Sequence, residues 1–443
     1  MGVMAAEPVQ NIRDRGLVRA VGVGAFTASI INCVVGAGIF SLPSAMAALA
    51  GAWAPLAFLI CAFAVGAVVL CAAEASGRVA TSGGVYGYAD AAFGPVAAFV
   101  SGMLVWVSAV LACGGIAAAL ADGLAQSWPA LHGPLPRGLF IVAVIGGIGL
   151  VNIAGVNPAA RLVSLLTVIK LLPLLVLVVV GGAALAMQGP ALGTAAPPTA
   201  FGQALILALF AFSGMETPLS ASGEIDRPAR TIPRALFLAM GFVTALYIAI
   251  QLVTQGLLGG ALATSATPLA DAIGRVSPAL GLLLLVGASL SRFGWIGSHL
   301  LGAPRILFAF ARDGMLPARL AVVHSRTHAP HVAIIVHCII AILLALSGTF
   351  DLLAVLSGLA TAGIYVLLCA SAWRLHHLGT TLGESTVRYA VLPYAAGLAI
   401  LAMTVIIALG QPRDIAGLAL LVGGSGLWAF WRLRGRRAEG RPQ

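Results

Sequence analysis

Charge is what this sequence has least of. Of 443 residues, 9% are Asp, Glu, Lys or Arg, while 60% are hydrophobic. A soluble domain draws on roughly 25% charged residues to cover its surface, so this composition argues against a chain that folds in water. The alternative solvent is lipid, where a spanning helix needs about 20 mostly apolar residues. Such runs recur from end to end and leave no stretch long enough for a separate soluble domain. Lysine is scarcer still, with Lys170 standing alone among 24 basic residues. The six cysteines (33, 61, 71, 113, 338 and 369) sit inside apolar runs without metal-ligand spacing, and read as small hydrophobes, not a disulfide framework. At membrane depth the sequence offers no nucleophile–base pair and no helical His/Glu metal motif, and it has no phosphate-binding loop. An embedded enzyme and a nucleotide-driven pump are therefore disfavoured, and polar residues are too few to line a channel.

What is present is a series of twelve expected helices, near 19–49, 52–76, 94–126, 137–155, 159–187, 201–223, 232–259, 277–313, 332–347, 351–373, 386–409 and 412–432. With the N-terminus inside, 19 arginines fall on the inner side, and only Arg137, Arg275 and Arg413 on the outer. That bias orients the chain with both termini in the cytoplasm of a cell-membrane protein. The net charge of +10 thus reflects topology and lipid, not nucleic acid. The basic tail Arg432–Arg441 reads as an anchor against anionic lipid. An apolar run of about thirty residues after Arg19 is too long for a signal-peptide core, and reads as the first helix.

Two of these helices carry breakers in their middles. The first is interrupted by Val35-Gly36-Ala37-Gly38-Ile39-Phe40, the sixth by Phe212-Ser213-Gly214-Met215-Glu216-Thr217-Pro218. Glycine weakens a helix interior and proline breaks its ladder. Five helices separate the two breaks, so they occupy equivalent places in two five-helix units of opposite orientation. This is the pattern of an inverted repeat with its binding site between two discontinuous helices. The domain reading follows: a cytoplasmic N-terminus (1–18), a first repeat (19–187), a second (201–373), two added helices (386–432) and a basic tail (433–443). Unwound backbone at membrane depth is tolerated where it lines a cavity. Half-helix N-termini suit a carboxylate and freed carbonyls an ammonium, which together describe an amino acid.

The motifs resemble the amino acid–polyamine–organocation superfamily of permeases. Gly36-Ala37-Gly38-Ile39-Phe40 resembles its first-helix motif G-S-G-I-F, and Ser82-Gly83-Gly84-Val85-Tyr86-Gly87-Tyr88 its loop signature between helices 2 and 3. Phe210-Ala211-Phe212-Ser213-Gly214-Met215-Glu216 resembles the sixth helix. Pro228-Ala229-Arg230-Thr231-Ile232-Pro233-Arg234-Ala235 follows N-P-x-R-x-I-P-R-A except at its first position, where Arg227 stands. Pro304-Arg305 and Arg312 to Pro317 match the end of helix 8. The resemblance implies a leucine-transporter-like 5+5 fold with helices 11 and 12 added. It implies that backbone N–H groups of Ala37, Gly38 and Ile39, beside Gly36, hold a substrate carboxylate. Carbonyls of Val34, Phe210 and Ser213 would meet the amino group, and the Phe210 ring would cover the site. Ala37 replaces the usual serine, so no hydroxyl reaches the carboxylate.

Lys170 lies well inside helix 5, where a charge is a functional hypothesis by default. Arginine keeps its proton, whereas a lysine out of water can release it. The position also resembles a lysine of proton-coupled permeases that stands in for a sodium ion between helices 1, 5 and 8. Proton coupling through Lys170 is the expectation, a statically paired lysine the alternative. Glu216 reads as a gating node or as a cap of the following half-helix. By the resemblance His299 lines the side-chain pocket; it also fits a hydrogen-bonded core histidine. Arg292 shares its helix face and fits either an anion guide or a partner for a buried acid. Glu74 and Asp122 read as structural, and His324, His328 and His331 as loop residues. The expectation is a secondary amino-acid transporter working by alternating access. It carries no cofactor and uses a proton gradient, with a neutral amino acid as partner. A cationic amino-acid or polyamine exchanger and a non-transporting sensor are the rivals.

Overall fold

The computed structural model describes residues 21–79, 83–126, 128–154, 170–189, 200–219, 225–379 and 388–438. Within them the chain is helical, apart from one isolated bridge between Val21 and Ile225. Eight helical stretches are long and apolar enough to cross a membrane, and four shorter apolar helices accompany them. This is an all-helical, multi-pass membrane protein.

In chain order the helices are α1 (Val23–Val34), α2 (Leu42–Ala50), α3 (Ala54–Arg78), α4 (Gly84–Phe93), α5 (Pro95–Ala125), α6 (Pro134–Ile153) and α7 (Lys170–Met187). They continue with α8 (Phe201–Ala211), α9 (Glu216–Leu219), α10 (Pro228–Leu258), α11 (Pro268–Gly274), α12 (Pro278–Gly302) and α13 (Pro304–Arg312). The last four are α14 (His331–Ser347), α15 (Phe350–Leu378), α16 (Leu392–Ala408) and α17 (Pro412–Ala438). Proline opens α5, α6, α10, α11, α12, α13 and α17, where its missing N–H is no loss and its fixed φ suits the first turn.

Several helix boundaries differ from the sequence reading. The segment expected as a loop between helices 2 and 3 instead forms α4, bracketed by Gly83 (φ 138°) and Gly94 (φ 86°). The single helix expected over 277–313 is two, because Pro304 cannot continue the hydrogen-bond ladder. The tenth helix runs to Leu378, not 373, and so includes His376. Residues 155–169 and 220–224, covering the start of the expected fifth helix and the end of the sixth, lie outside the described residues.

Burial separates the centre from the rim. In α15, 72% of the apolar window is buried inside the protein, against 17% in α6 and 11% in α17. The central helix packs on α3, α4, α5, α8 and α16. Where α5 meets α15, the Ser108 and Ser357 hydroxyls pair at 2.9 Å and Thr361 lies 3.1 Å from Ser108. Such mutual bonds satisfy polar groups away from water. A second buried polar group ties α3 to α15: Glu74 accepts from Arg78 at 2.8 Å and lies 2.6 Å from His376. Its other oxygen accepts the Tyr389 amide at 3.0 Å. The structural reading of Glu74 fits this clamp.

Candidate functional site

The first break begins where α1 ends at Val34. The Gly36 amide turns back to the Val34 carbonyl at 2.6 Å, and a 3-10 turn, Ala37–Phe40, follows before α2. In the second break, the carbonyl of Phe210 at the end of α8 accepts both the amide and the hydroxyl of Ser213, at 3.2 and 2.6 Å. Gly214 then adopts φ 114° before α9 starts at Glu216. The two breaks touch. A Cβ on Gly214 would come within 2.8 Å of the Cys33 carbonyl oxygen, and one on Gly38 within 2.9 Å of the Phe210 ring. At Gly214 both the left-handed conformation and the backbone approach require glycine.

Between the breaks lies a cavity of about 180 Å³. Drug-sized sites span about 300–1,000 Å³, so this one suits a small solute. Its walls come from α1, α2, α5, α7, α8, α9, α10, α12 and α15. Of the residues singled out from sequence, Val34, Gly36, Gly38, Ile39, Phe210, Ser213, His299, Lys170 and Glu216 all line it. Ala37 begins the 3-10 turn on the same wall. Two lining residues, Thr217 and Ser298, are exposed. Ile39, Leu42, Ile116 and Ser291, which also line the cavity, are buried.

The two intramembrane charges meet different partners. The Lys170 ammonium donates to the carbonyl of Asn32, in the last turn of α1. No carboxylate pairs with it and no bond runs from it to α12 among the described residues. Both oxygens of Glu216 accept the Gly214 amide, at 3.2 and 3.0 Å, and Oε2 also accepts the Tyr365 hydroxyl at 3.3 Å.

Residues 22–423 match the family described as amino acid permease. The chain belongs to the amino acid permease family. Among its relatives is the serine/threonine exchanger SteT of Bacillus subtilis, 27% identical over 97% of this chain and all of that one. An uncharacterized transporter of Mycobacterium tuberculosis is 32% identical, covering 83% of this chain and 81% of its own. The branched-chain amino acid permease BcaP of Bacillus subtilis is 26% identical over 80% of each. The protein is a transporter, not an enzyme.

The permease's geometry also alters details of the expected site. Two of the three carbonyls offered to a substrate ammonium are already engaged: Val34 accepts the Tyr247 hydroxyl at 2.8 Å as well as the Gly36 amide, and Phe210 accepts twice from Ser213. His299 is held on two sides. Its Nε2 lies 3.1 Å from the Ala109 carbonyl, and its ring stacks on Trp295 at 4.3 Å between centroids. Arg292 does not pair with a buried acid: its Nη2 donates to the Ser41 hydroxyl at 2.7 Å, while Asp122 pairs with Arg137 at 2.6 Å. Arg227, at the departure from the loop motif, sits at φ 46°, a conformation asparagine adopts more readily. His324 builds a turn, its Nδ1 accepting the Thr327 amide at 3.4 Å.

The sequence reading missed Tyr247, Tyr365, Trp295, Ser108 and Ser357. For the tyrosines and the tryptophan a signal existed: each has a polar atom that seeks a partner when buried. Nothing in the sequence says which partner.

Proposed function

We propose that the chain is a secondary active amino-acid transporter that works by alternating access and couples to protons through Lys170. In this reading it has twelve spanning helices, ten of them in two inverted units of five with discontinuous helices 1 and 6. Both termini face the cytoplasm. The substrate carboxylate meets the backbone at Ala37, Gly38 and Ile39, its ammonium lies between the two breaks, and Phe210 covers it. The exposed lining residues Thr217 and Ser298 then lie on the cytoplasmic side, and the buried wall of Ile39, Leu42 and Ile116 closes the outer side.

The observation that carries the coupling is the Lys170–Asn32 bond, with no carboxylate partner for the ammonium among the described residues. A neutral lysine keeps N–H donors but loses the charge that strengthens this bond, so its hold on the end of α1 weakens and protonation is linked to the position of that half-helix. A neutral substrate is favoured for a second reason. The cavity's carboxylate, Glu216, is committed to Gly214 and Tyr365, and the side-chain wall offers His299 and hydroxyls instead. SteT and BcaP are named for serine, threonine and branched-chain amino acids, which are neutral.

The test is uptake into proteoliposomes across a panel of neutral and cationic amino acids and polyamines, with and without an imposed pH gradient. Uptake of a neutral amino acid that rises with the gradient, and a Lys170→Ala variant that no longer responds to it, is the expected result. A Lys170→Ala protein still driven by the gradient would remove the coupling proposal. Binding without flux would favour the sensor.

A further inference from the structure

Arg292 takes no part in the cycle described above, yet its surroundings are unusual for a guanidinium. The residue is 1% exposed, and its Nε has no hydrogen-bond partner. Nη2 donates to the Ser41 hydroxyl at 2.7 Å, and Nη1 lies so close to Gly123 that a Cβ there would come within 2.9 Å. Among the described residues no carboxylate forms an ion pair with it. The acid at the adjoining position, Asp122, is gripped by Arg137 through both oxygens, at 2.6 and 3.2 Å. Sealing a cation with one neutral acceptor is unfavourable, because desolvation exceeds what a hydroxyl returns.

The acceptor's place gives this charge a meaning. Ser41 joins the Ala37–Phe40 turn to α2, and its own amide donates to Gly38 at 2.9 Å. Arg292 therefore grips the far edge of the turn that, in the proposed function, binds the substrate carboxylate. It does so next in the chain to Ser291, which like Ile39 and Leu42 is a buried lining residue, on the wall that the proposed function takes as the closed outer side.

We propose that Arg292 makes closure of the outer path conditional on a carboxylate in the cavity. In the empty carrier the buried charge opposes closure. Asp122, held by Arg137, acts on Arg292 only from a distance, and an anionic group seated on the turn supplies the further counter-charge that makes the closed, loaded form favourable. The empty carrier returns poorly, which biases the permease towards exchange. This inference rests on the proposed carboxylate site.

Binding to purified permease separates the two ideas, with serine and serinamide as probes, the latter lacking the carboxylate charge. Arg292→Met is expected to weaken serine binding by about tenfold or more, the attraction of opposite unit charges up to about 12 Å apart at an effective dielectric of about 20, while serinamide binding stays within about twofold. Ser41→Ala keeps the charge and is expected to preserve the ratio of the two affinities. Arg292→Gln provides the same comparison should the methionine variant not fold. Cys33 gives a second readout, because it lines the cavity while the other five cysteines are buried. Its labelling in the empty carrier by an impermeant thiol reagent outside the cell should fall in Arg292→Met and rise in Ser41→Ala. Equal loss of serine and serinamide affinity, or labelling that rises in Arg292→Met, overturns the proposal and leaves Arg292 a structural latch. Wild-type protein that binds none of the panel's amino acids instead overturns the functional reading beneath it.

Discussion

The two breaks solve one physical problem in different ways. Each leaves peptide groups without helical partners at membrane depth, where an unsatisfied group costs several kcal/mol. The break after α8 is met largely from within: Ser213 and Glu216, both local, bond Phe210 and Gly214, and Tyr365 is a distant partner. The break after α1 carries no charged side chain, and its carbonyls are met from elsewhere. Tyr247 of α10 reaches Val34, and Lys170 of α7 reaches Asn32. The α8 break is a stiff joint with its own carboxylate. The α1 break is held by groups on other helices, so a change in those groups reaches it directly. Coupling through α1 therefore has a physical basis that the α8 break lacks.

Six substitutions at five positions break or sharpen this comparison. The largest effect is expected from Gly214→Ala, which meets the Cys33 backbone and a left-handed φ together. Strain of about 1–3 kcal/mol should lower initial uptake by tenfold or more while the purified protein stays monodisperse. Glu216→Ala comes next. It strands the half-buried Gly214 amide, at about 1–3 kcal/mol, and should slow uptake about tenfold, whereas Glu216→Gln, which retains an acceptor, should lose less. Tyr247→Phe removes one neutral bond to Val34, about 0.5–1.5 kcal/mol, so uptake should fall a few-fold and its response to the pH gradient should weaken. Tyr365→Phe should leave that response unchanged. Gly36→Ala is the mildest, because its Cβ would meet the Trp295 side chain at 3.2 Å, and a side chain can shift. Uptake within about twofold of wild type is expected, since surrounding rotamers absorb a few tenths of an ångström. If Gly36→Ala proved as damaging as Gly214→Ala, the contrast between a stiff joint and a yielding one would be wrong.

The breaks themselves were legible because Gly and Pro announce them, and the motifs around them place the chain in its family. Lys170 was legible through its rarity. The fate of Arg292 was not. Its position left an anion guide and a partner for a buried acid both open, and the nearby acid, Asp122, is half-exposed and held by Arg137. His376 was missed because the tenth helix runs past Trp373, and only the folded chain brings it to Glu74, 302 positions away.

The sequence by itself determined the solvent, the helical class and the two points of unwinding, since each follows from local composition and the periodicity of apolar runs. Tertiary structure alone decided which carbonyls are already engaged, which acid pairs with which arginine, and which lining residues of the cavity are buried. Those outcomes depend on competition among groups far apart in the chain, and distance in space, not order along the backbone, settles that competition.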